Sequence, residues 1–562
     1  MTKTLLVGWD AACWEYLQPM LEEGRLPTLQ KLLAQGVSGT LHSTMPAWTP
    51  TAWSSIVTGK NPGKHGIFDM LRKKPGGYDF VPTNASFRAG QPFWKYLNQH
   101  GVRTGMVNVP FSYPPAPVEG FMVCGFGTPA TISEIAYPAE VNPWLREQFS
   151  DFKPEVDAEV LRSAPPEEIF GIEKEQQHRF VHIATHLADR YQVDVLVINL
   201  MFPDHANHKM PRMEQVQASY LQTDHDLARL LDHFQPDNIM LISDHGSSRV
   251  KGDFWLGAWL RDQGYAVETE NSPAERDAAF NWLLMQIFRE YRGWSGEFEK
   301  IARKLTKESF FRFPKGLQEK FWARIEKDFP HARQFVLSSG KPDYKRTRVL
   351  YGSAYSGLLY LNVAGREPQG PIPAESRQAL AEEIRQKLLQ ITDPDTGRPL
   401  FANIYTSEIY HGRAVPYAPD LILDAYGAEW NIRTSKYTAH PGPAVNHYFF
   451  KKANYRDFGW HSRDGVFVFS GPAFDPAKAG QPKGGGEAYL LDIPTTLLHL
   501  YGLPIPEDFD GRVLADVLSL ELRATPVRFQ PAEEETVGAE TAYEEEDAEK
   551  LVEHLRALGY LD

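Results

Sequence analysis

The chain has 562 residues, with 59 basic and 72 acidic side chains and a formal net charge of -13. Hydrophobic residues at 42% and charged residues at 23% describe a globular chain, not a fibre or a disordered one. The acidic balance excludes broad electrostatic binding to a nucleic acid polymer. Two cysteines, Cys13 and Cys124, are too few for a disulfide framework or a cysteine-rich zinc module, so any metal must be held by Asp and His.

In chain order, Thr4–Gly8 (TLLVG) reads as a first strand buried on both faces and ending at Asp10. That apolar run is too short for a signal sequence, and no stretch reaches the roughly 18–20 apolar residues of a membrane span. The expectation is a cytoplasmic protein without a transmembrane segment. Trp14–Gln35 reads as one helix stopped by Gly36. Val102–Val107, Val193–Asn199 and Asn238–Ser243 read as further buried strands, the last two leading into loops rich in Asp and His.

From about residue 272 to 325 the pattern becomes helical, with many bases and aromatics, as in an insertion or cap. Strands return at Leu358–Val363, Leu421–Leu423 and Val466–Ser470, and Ile493–Tyr501 reads as a late helix. Residues 531–549 hold nine acids and no base and read as a flexible linker. A short terminal helix, Asp547–Leu558, then packs through Leu551, Leu555 and Leu558. Short apolar runs alternating with amphipathic stretches predict an α/β fold built on a central, mostly parallel sheet with helices on both faces. The expected division is 1–265 and 346–525 as two parts of that core, 266–345 as the helical insertion, and 526–562 as linker and terminal helix.

Seven residues in five places carry the chemistry. They are Asp10 in VGWDAA, Thr49 in PAWTPTAW, Asp204 and His208 in FPDHANH, Asp244 and His245 in ISDHG, and His461 in GWHSRDG. Ligands in open parallel sheets bind beyond the carboxyl ends of strands, which is where Asp10, Asp204 and Asp244 fall. Carboxylates with imidazoles and no thiolate suit borderline divalent metals, Zn²⁺ first and Mn²⁺ as the alternative. Three Asp, three His and a hydroxyl are enough for two ions, and two ions about 3.5–4 Å apart stabilise both the attacking and the leaving oxygen of a phosphoryl displacement. Taken singly, Asp204 reads equally as a helix cap and His208 or His461 as a packed imidazole. Their conjunction carries the signal.

Other groups have plainer readings. His178, His182 and His186 share one helix face without carboxylate partners and read as a solvated or packing stripe. His65 orders a tight loop, and Gly59, Gly63 and Gly66 are turn glycines rather than a phosphate-cradling loop.

The ordered set GWDAA, TPTAW with TGKNPGKHG, PDHANH, SDHG and GWHSRDG resembles the type I phosphodiesterase/nucleotide pyrophosphatase group of the alkaline phosphatase superfamily. The resemblance covers about residues 3–265 and 350–520. It implies an alkaline-phosphatase-like fold and a hydrolase of small-molecule phosphate esters. One ion would be held by Asp10, Asp244, His245 and the Thr49 hydroxyl, the other by Asp204, His208 and His461. Thr49 matches the family's nucleophile, which forms a phospho-threonine; Thr44, Thr51 and Ser54 are nearby hydroxyls. Ala52 stands where nucleotide-cleaving members usually have an Asn, which turns the expectation away from a nucleotide substrate. Thr51, Trp53, Lys60 or a backbone N–H is then left to meet the phosphoryl oxygen. A phosphomonoesterase or phosphotransferase of the same superfamily, or a non-catalytic phospho-ligand-binding module, is the alternative reading.

Overall fold

The computed structural model describes residues 2–290, 310–312, 314–328, 332–353, 357–425, 429–434, 448–451, 459–481, 483–533 and 543–561. The helical expectation for residues 291–309 and the linker expectation for 534–542 lie outside them. Among the described residues no helix is long and apolar enough to cross a membrane.

Nine strands make the central sheet. The first five are β1 (Thr4–Trp9), β2 (Gly36–His42), β3 (Thr104–Val109), β4 (Gly120–Cys124) and β5 (Ala136–Tyr137). Then come β6 (Val195–Leu200), β7 (Asn238–Ile242), β8 (Asp464–Ser470) and β9 (Glu487–Tyr489). Their order across the sheet is β9-β2-β8-β7-β1-β6-β3-β4-β5. β1 runs parallel to both neighbours, pairing Gly8 with Asn199 on one side and with Ile242 on the other. Only β8 and β5 run against the rest. The inner strands are buried along their whole length, which explains their unbroken apolar runs in place of alternation.

This topology gathers the site. β7, β1 and β6 are adjacent and parallel, so the segments after Ile242, Trp9 and Leu200 leave at one edge of the sheet. β8 is antiparallel to β7, so its start, just after His461, lies at that same edge. β2 is antiparallel to β8, so the segment leading from His42 to Thr49 also emerges there.

The helices around the sheet begin with α1 (Trp14–Glu22) and α2 (Pro27–Gln35). Here the sequence predicts one helix, and the structure has two. Gly24 takes a left-handed φ of 69° and Pro27 opens the second helix, where its missing N–H costs nothing. Next come α3 (Thr49–Thr58), α4 (Pro166–Tyr191), α5 (Phe202–Lys209), α6 (Met213–Phe234) and α7 (Glu545–Leu558). α4 and α6 pack on each other, and α7 packs against α5. Leu551, Leu555 and Leu558 of α7 are buried in the main core.

The span 346–525 is shared among several sheets. Val349–Tyr351, Leu358–Leu361, Leu421–Asp424 and Asn403–Thr406 form a separate antiparallel sheet with its own apolar cluster, which includes Trp259, Leu361 and Leu423. Among the described residues of this span only β8 and β9 join the central sheet, while Trp430–Arg433 and Phe449–Lys451 flank Gly252–Trp255 in a three-stranded sheet. Between 266 and 345, the helices Pro273–Glu290, Lys315–Asp328 and Ala332–Leu337 enclose a third cluster around Phe280, Phe310 and Trp322.

Candidate active site

Asp10 follows β1, and the residue after it, Ala11, takes a positive φ of 61°. Asn199 on β6 donates from Nδ2 to Asp10 Oδ2 at 2.8 Å, which fixes that oxygen and leaves Oδ1 without a partner among the described residues. Thr49 is the first residue of α3, a helix whose ten residues are all buried. Its hydroxyl therefore sits at the positive end of a helix dipole. Gly8 makes this approach possible, because a Cβ there would lie 2.2 Å from Asn199 Oδ1 and 2.5 Å from Trp53 of α3.

Asp244 and His245 lie between β7 and the short strand Gly246–Arg249. That strand pairs antiparallel with Gly459–Ser462, placing Ser247 opposite His461. The sequence reading put Asp204 and His208 in a loop, whereas both lie on α5, one turn apart on a single face. Pro203 in the first turn suits this helix start.

The seven residues converge on two points. Ligand atoms of Asp10, Asp244 and His245 lie within 4.8 Å of one another, and so do those of Asp204, His245 and His461. His208 joins the second point, with its Nε2 3.2 Å from His461 Nε2 and 3.4 Å from Asp204 Oδ1. His245 borders both points. Its Nε2 is 3.6 Å from Asp10 Oδ1 and 3.4 Å from Asp244 Oδ2, and its ring stacks on His461 with centroids 3.7 Å apart.

The imidazole tautomers follow from their other nitrogens. His245 Nδ1 faces the Gly246 carbonyl at 3.1 Å and His461 Nδ1 faces the Ala47 carbonyl at 2.9 Å, so each donates there and presents a bare Nε2 to the site. Thr49 Oγ1, 3.2 Å from His245 Nε2, is then the donor of that pair. Of the competing hydroxyls, Thr44 is turned to the Pro46 carbonyl at 2.7 Å. Thr51 Oγ1 is buried without a partner among the described residues, and no contact joins it or Ser54 to these imidazoles. Lys60 is buried and pairs with Asp508. Trp53 packs in the core, while Trp48 lines a cleft with Trp430, Trp460 and His461.

Charge makes the site hungry for cations. Burial, followed by the charges of Asp244 and Asp204, pushes the Asp10 carboxyl well above its usual range. Burial and Asp204 push Asp244 up to about 8. Burial works the same way on Asp204, but the facing His208, by charge and hydrogen bond, wins and holds it below the usual range. Burial and then the neighbouring His245 keep His461 neutral. Asp10 Oδ1, Asp204 Oδ1 and both oxygens of Asp244 are buried without hydrogen-bond partners among the described residues. Orphaned carboxylate oxygens beside bare imidazole nitrogens are the donor set that divalent ions take. The residues present fit such ions.

Two groups at the site were missed by sequence reasoning. Asn199 had a signal, as an amide inside the otherwise apolar run VLVINL. Tyr560 had none: its hydroxyl donates to Asp204 Oδ2 from near the end of the chain. His65, expected in a tight loop, is the last residue of the one-turn helix Pro62–His65, accepting at Nδ1 from the Ile67 N–H at 3.1 Å and facing Ser55 Oγ at 2.9 Å from Nε2. His186 stacks on Trp144 and His178 faces Gln222 and Asp226, so the histidine stripe packs against neighbouring side chains.

Comparison with solved structures finds phosphonoacetate hydrolase from Sinorhizobium meliloti 1021 in complex with phosphonoacetate at 14% identity and a TM-score of 0.48, covering 84% of this chain and 90% of that one. An inactive murine ectonucleotide pyrophosphatase/phosphodiesterase 5 in complex with AMP matches at 13% identity and 0.45, covering 90% and 96%. The human form of that protein matches at 13% and 0.43, covering 89% and 95%. No curated protein sequence matches. The family description type I phosphodiesterase/nucleotide pyrophosphatase matches residues 4–464, which is most of the chain and includes all seven site residues. The chain belongs to the type I phosphodiesterase/nucleotide pyrophosphatase family and is an enzyme of the phosphoric ester hydrolase class.

Proposed function

We propose that the enzyme is a dinuclear metal-dependent phosphodiesterase that works through a phospho-threonine at Thr49. The observation that carries this reading is the pair of three-residue ligand points sharing His245, with the Thr49 hydroxyl against that same ring. Asp10, Asp244, His245 and Thr49 would hold one ion, and Asp204, His208 and His461 the other. Zn²⁺ suits this O/N set best, with Mn²⁺ as the alternative. When bound, the ions lower the pKa of a hydroxyl and neutralise charge building on phosphoryl oxygens.

The chain's own residues supply the rest. Thr49 Oγ1 gives up its proton to solvent and attacks phosphorus, the bond from phosphorus to the leaving oxygen breaks, and the departing alkoxide takes a proton from water. Water then cleaves the Thr49–phosphate ester and restores the hydroxyl, so two easier displacements replace one hard one. The N-terminus of α3 aims its dipole at the phosphoryl charge throughout. Asn199 orients Asp10, while the Gly246 and Ala47 carbonyls hold His245 and His461 in the orientation that faces the ligand points.

A diester fits better than a monoester, since Lys60 is already paired and a dianion would want another cation beside Thr49. We also keep the division at 265, 345 and 525, and a reducing, cytoplasmic setting, supported by two buried free thiols at Cys13 and Cys124. The test is kcat/KM for a nitrophenyl phosphodiester and the matching monoester, on Zn²⁺- and Mn²⁺-loaded enzyme. The reading expects a diester preference that Thr49→Ala abolishes. A monoester preference would make the phosphomonoesterase the better description.

A further inference from the structure

We propose that Tyr560 is a positioning residue of the Asp204–His208–His461 metal point, so that the chain's C-terminal turn is part of the active site. The inference rests on the metal-dependent reading above. The Tyr560 hydroxyl donates to Asp204 Oδ2. That leaves Oδ1 as the oxygen turned to the imidazoles, 3.4 Å from His208 Nε2 and 3.7 Å from His461 Nε2, with no hydrogen-bond partner of its own among the described residues. A carboxylate pinned at one oxygen offers the other as a single ligand in a fixed direction. The Tyr560 ring adds a second restraint, since it meets the His208 ring edge-on with centroids 4.5 Å apart.

The segment that delivers Tyr560 is built into the fold. α7 buries Leu551, Leu555 and Leu558, and Tyr560 itself is fully buried in the same core. His554 faces Glu155 at 3.0 Å, the Thr131 hydroxyl donates to Asp547 at 2.5 Å, and the Tyr543 hydroxyl donates to the Gly127 carbonyl at 2.9 Å. Gly559 ends α7 with a left-handed φ of 101°, and the Tyr560 N–H then returns to the Leu555 carbonyl at 2.9 Å. This reversal points the chain inward, and glycine is the residue that takes it without strain. On the far side, the Tyr560 ring lies 5.5 Å from that of Phe126. The family match ends at residue 464, well before this turn.

The hydroxyl touches a ligand and not the reacting atoms, so its effect should appear first in metal binding. The test is Zn²⁺ stoichiometry and affinity, measured by competition with a chromogenic chelator, on the full-length chain and on Tyr560→Phe. The melting temperature of each metal-free protein serves as the check on folding. The proposal expects two ions on the wild type. Tyr560→Phe should hold one unchanged and bind the other 10–100-fold more weakly, the usual effect of losing an outer hydrogen bond to a ligand. Its metal-free form should still melt in one cooperative transition, at a lower midpoint than the wild type, because the ring packing is kept while the Asp204 oxygen loses its donor.

Equal affinity at both points in the two proteins overturns the proposal. So does a faster Tyr560→Phe enzyme with unchanged Zn²⁺ affinity, which would make the tyrosine a plug. A variant that fails to fold also overturns it, since the hydroxyl would then be structural. A wild-type chain that takes up no ion removes the metal reading as well, whereas two tightly held ions on both proteins remove only the role of Tyr560.

Discussion

Asn199 on β6 and Asp10 at the end of β1 are joined across adjacent parallel strands by a 2.8 Å hydrogen bond, which is the contact that aims Asp10. Asn199→Leu keeps the volume and removes the donor, leaving a buried carboxylate oxygen unpaired. That costs about 1–3 kcal/mol of stability. We expect a lower melting temperature and roughly 10–100-fold weaker metal binding at the Asp10 point. Thermal melts and chelator titration check both, and an Asn199→Leu protein that binds metal as tightly as wild type contradicts the role.

Close approach at Gly8 gives a second prediction. Gly8→Ala must push α3 away, because its Cβ would meet Trp53 and Asn199 well inside contact distance. Overpacking of this kind costs about 1–3 kcal/mol. A shift of about 1 Å in Thr49 would also lower turnover by up to about 100-fold. Gly171→Ala in α4 is the control, since nothing lies near its Cβ and alanine favours the helix by about 0.5–1 kcal/mol. Melting and kcat/KM of both variants decide it.

Much of this site was legible because parallel strands end where ligands bind. Asp10, Asp244 and His245 follow apolar runs whose length alone places them at the sheet edge. Asp204 and His208 were found as a spacing but assigned to a loop, since FPDHANHK lacks the apolar periodicity by which a helix is recognised. His461 was weak alone, and became informative only once pairing with Gly246–Arg249 set it opposite Ser247. Tyr560 was out of reach, because 356 residues separate it from Asp204 and no local pattern marks a residue that acts through a distant partner. The same limit hid the second sheet at 349–424, whose short strands read like those of the main core.

Metal removal should destabilise the protein. Asp10, Asp204 and Asp244 are buried together with orphaned oxygens, so ions bind the folded chain far better than the unfolded one. At about 100 times the dissociation constant, each ion adds about 2.7 kcal/mol. We expect a melting temperature that rises with Zn²⁺ concentration and falls in chelator. Identical melts in the two conditions would contradict the donor set.

His65 predicts a pH dependence apart from the metal site. Burial, with the Arg88 charge adding to it, pushes its pKa from 6.5 down to about 3. Nδ1 accepts from the Ile67 N–H, so protonation there would break that bond. The unfolded chain binds this proton below about pH 6.5 and the folded chain does not, so the contribution is whole above 6.5 and is lost as pH falls towards 3. The slope is about 1.4 kcal/mol per pH unit. The melting-temperature gap between wild type and His65→Gln should narrow as pH drops from about 7.5 to about 5. Parallel curves would show that His65 does not titrate this way.

The central claim is that Thr49, not water, attacks phosphorus first. The stereochemical course at phosphorus tests it most directly, using a chiral phosphorothioate diester turned over by the metal-loaded enzyme. Attack by Thr49 followed by water inverts phosphorus twice, and the account predicts net retention. Net inversion would mean a single displacement by water and would contradict it.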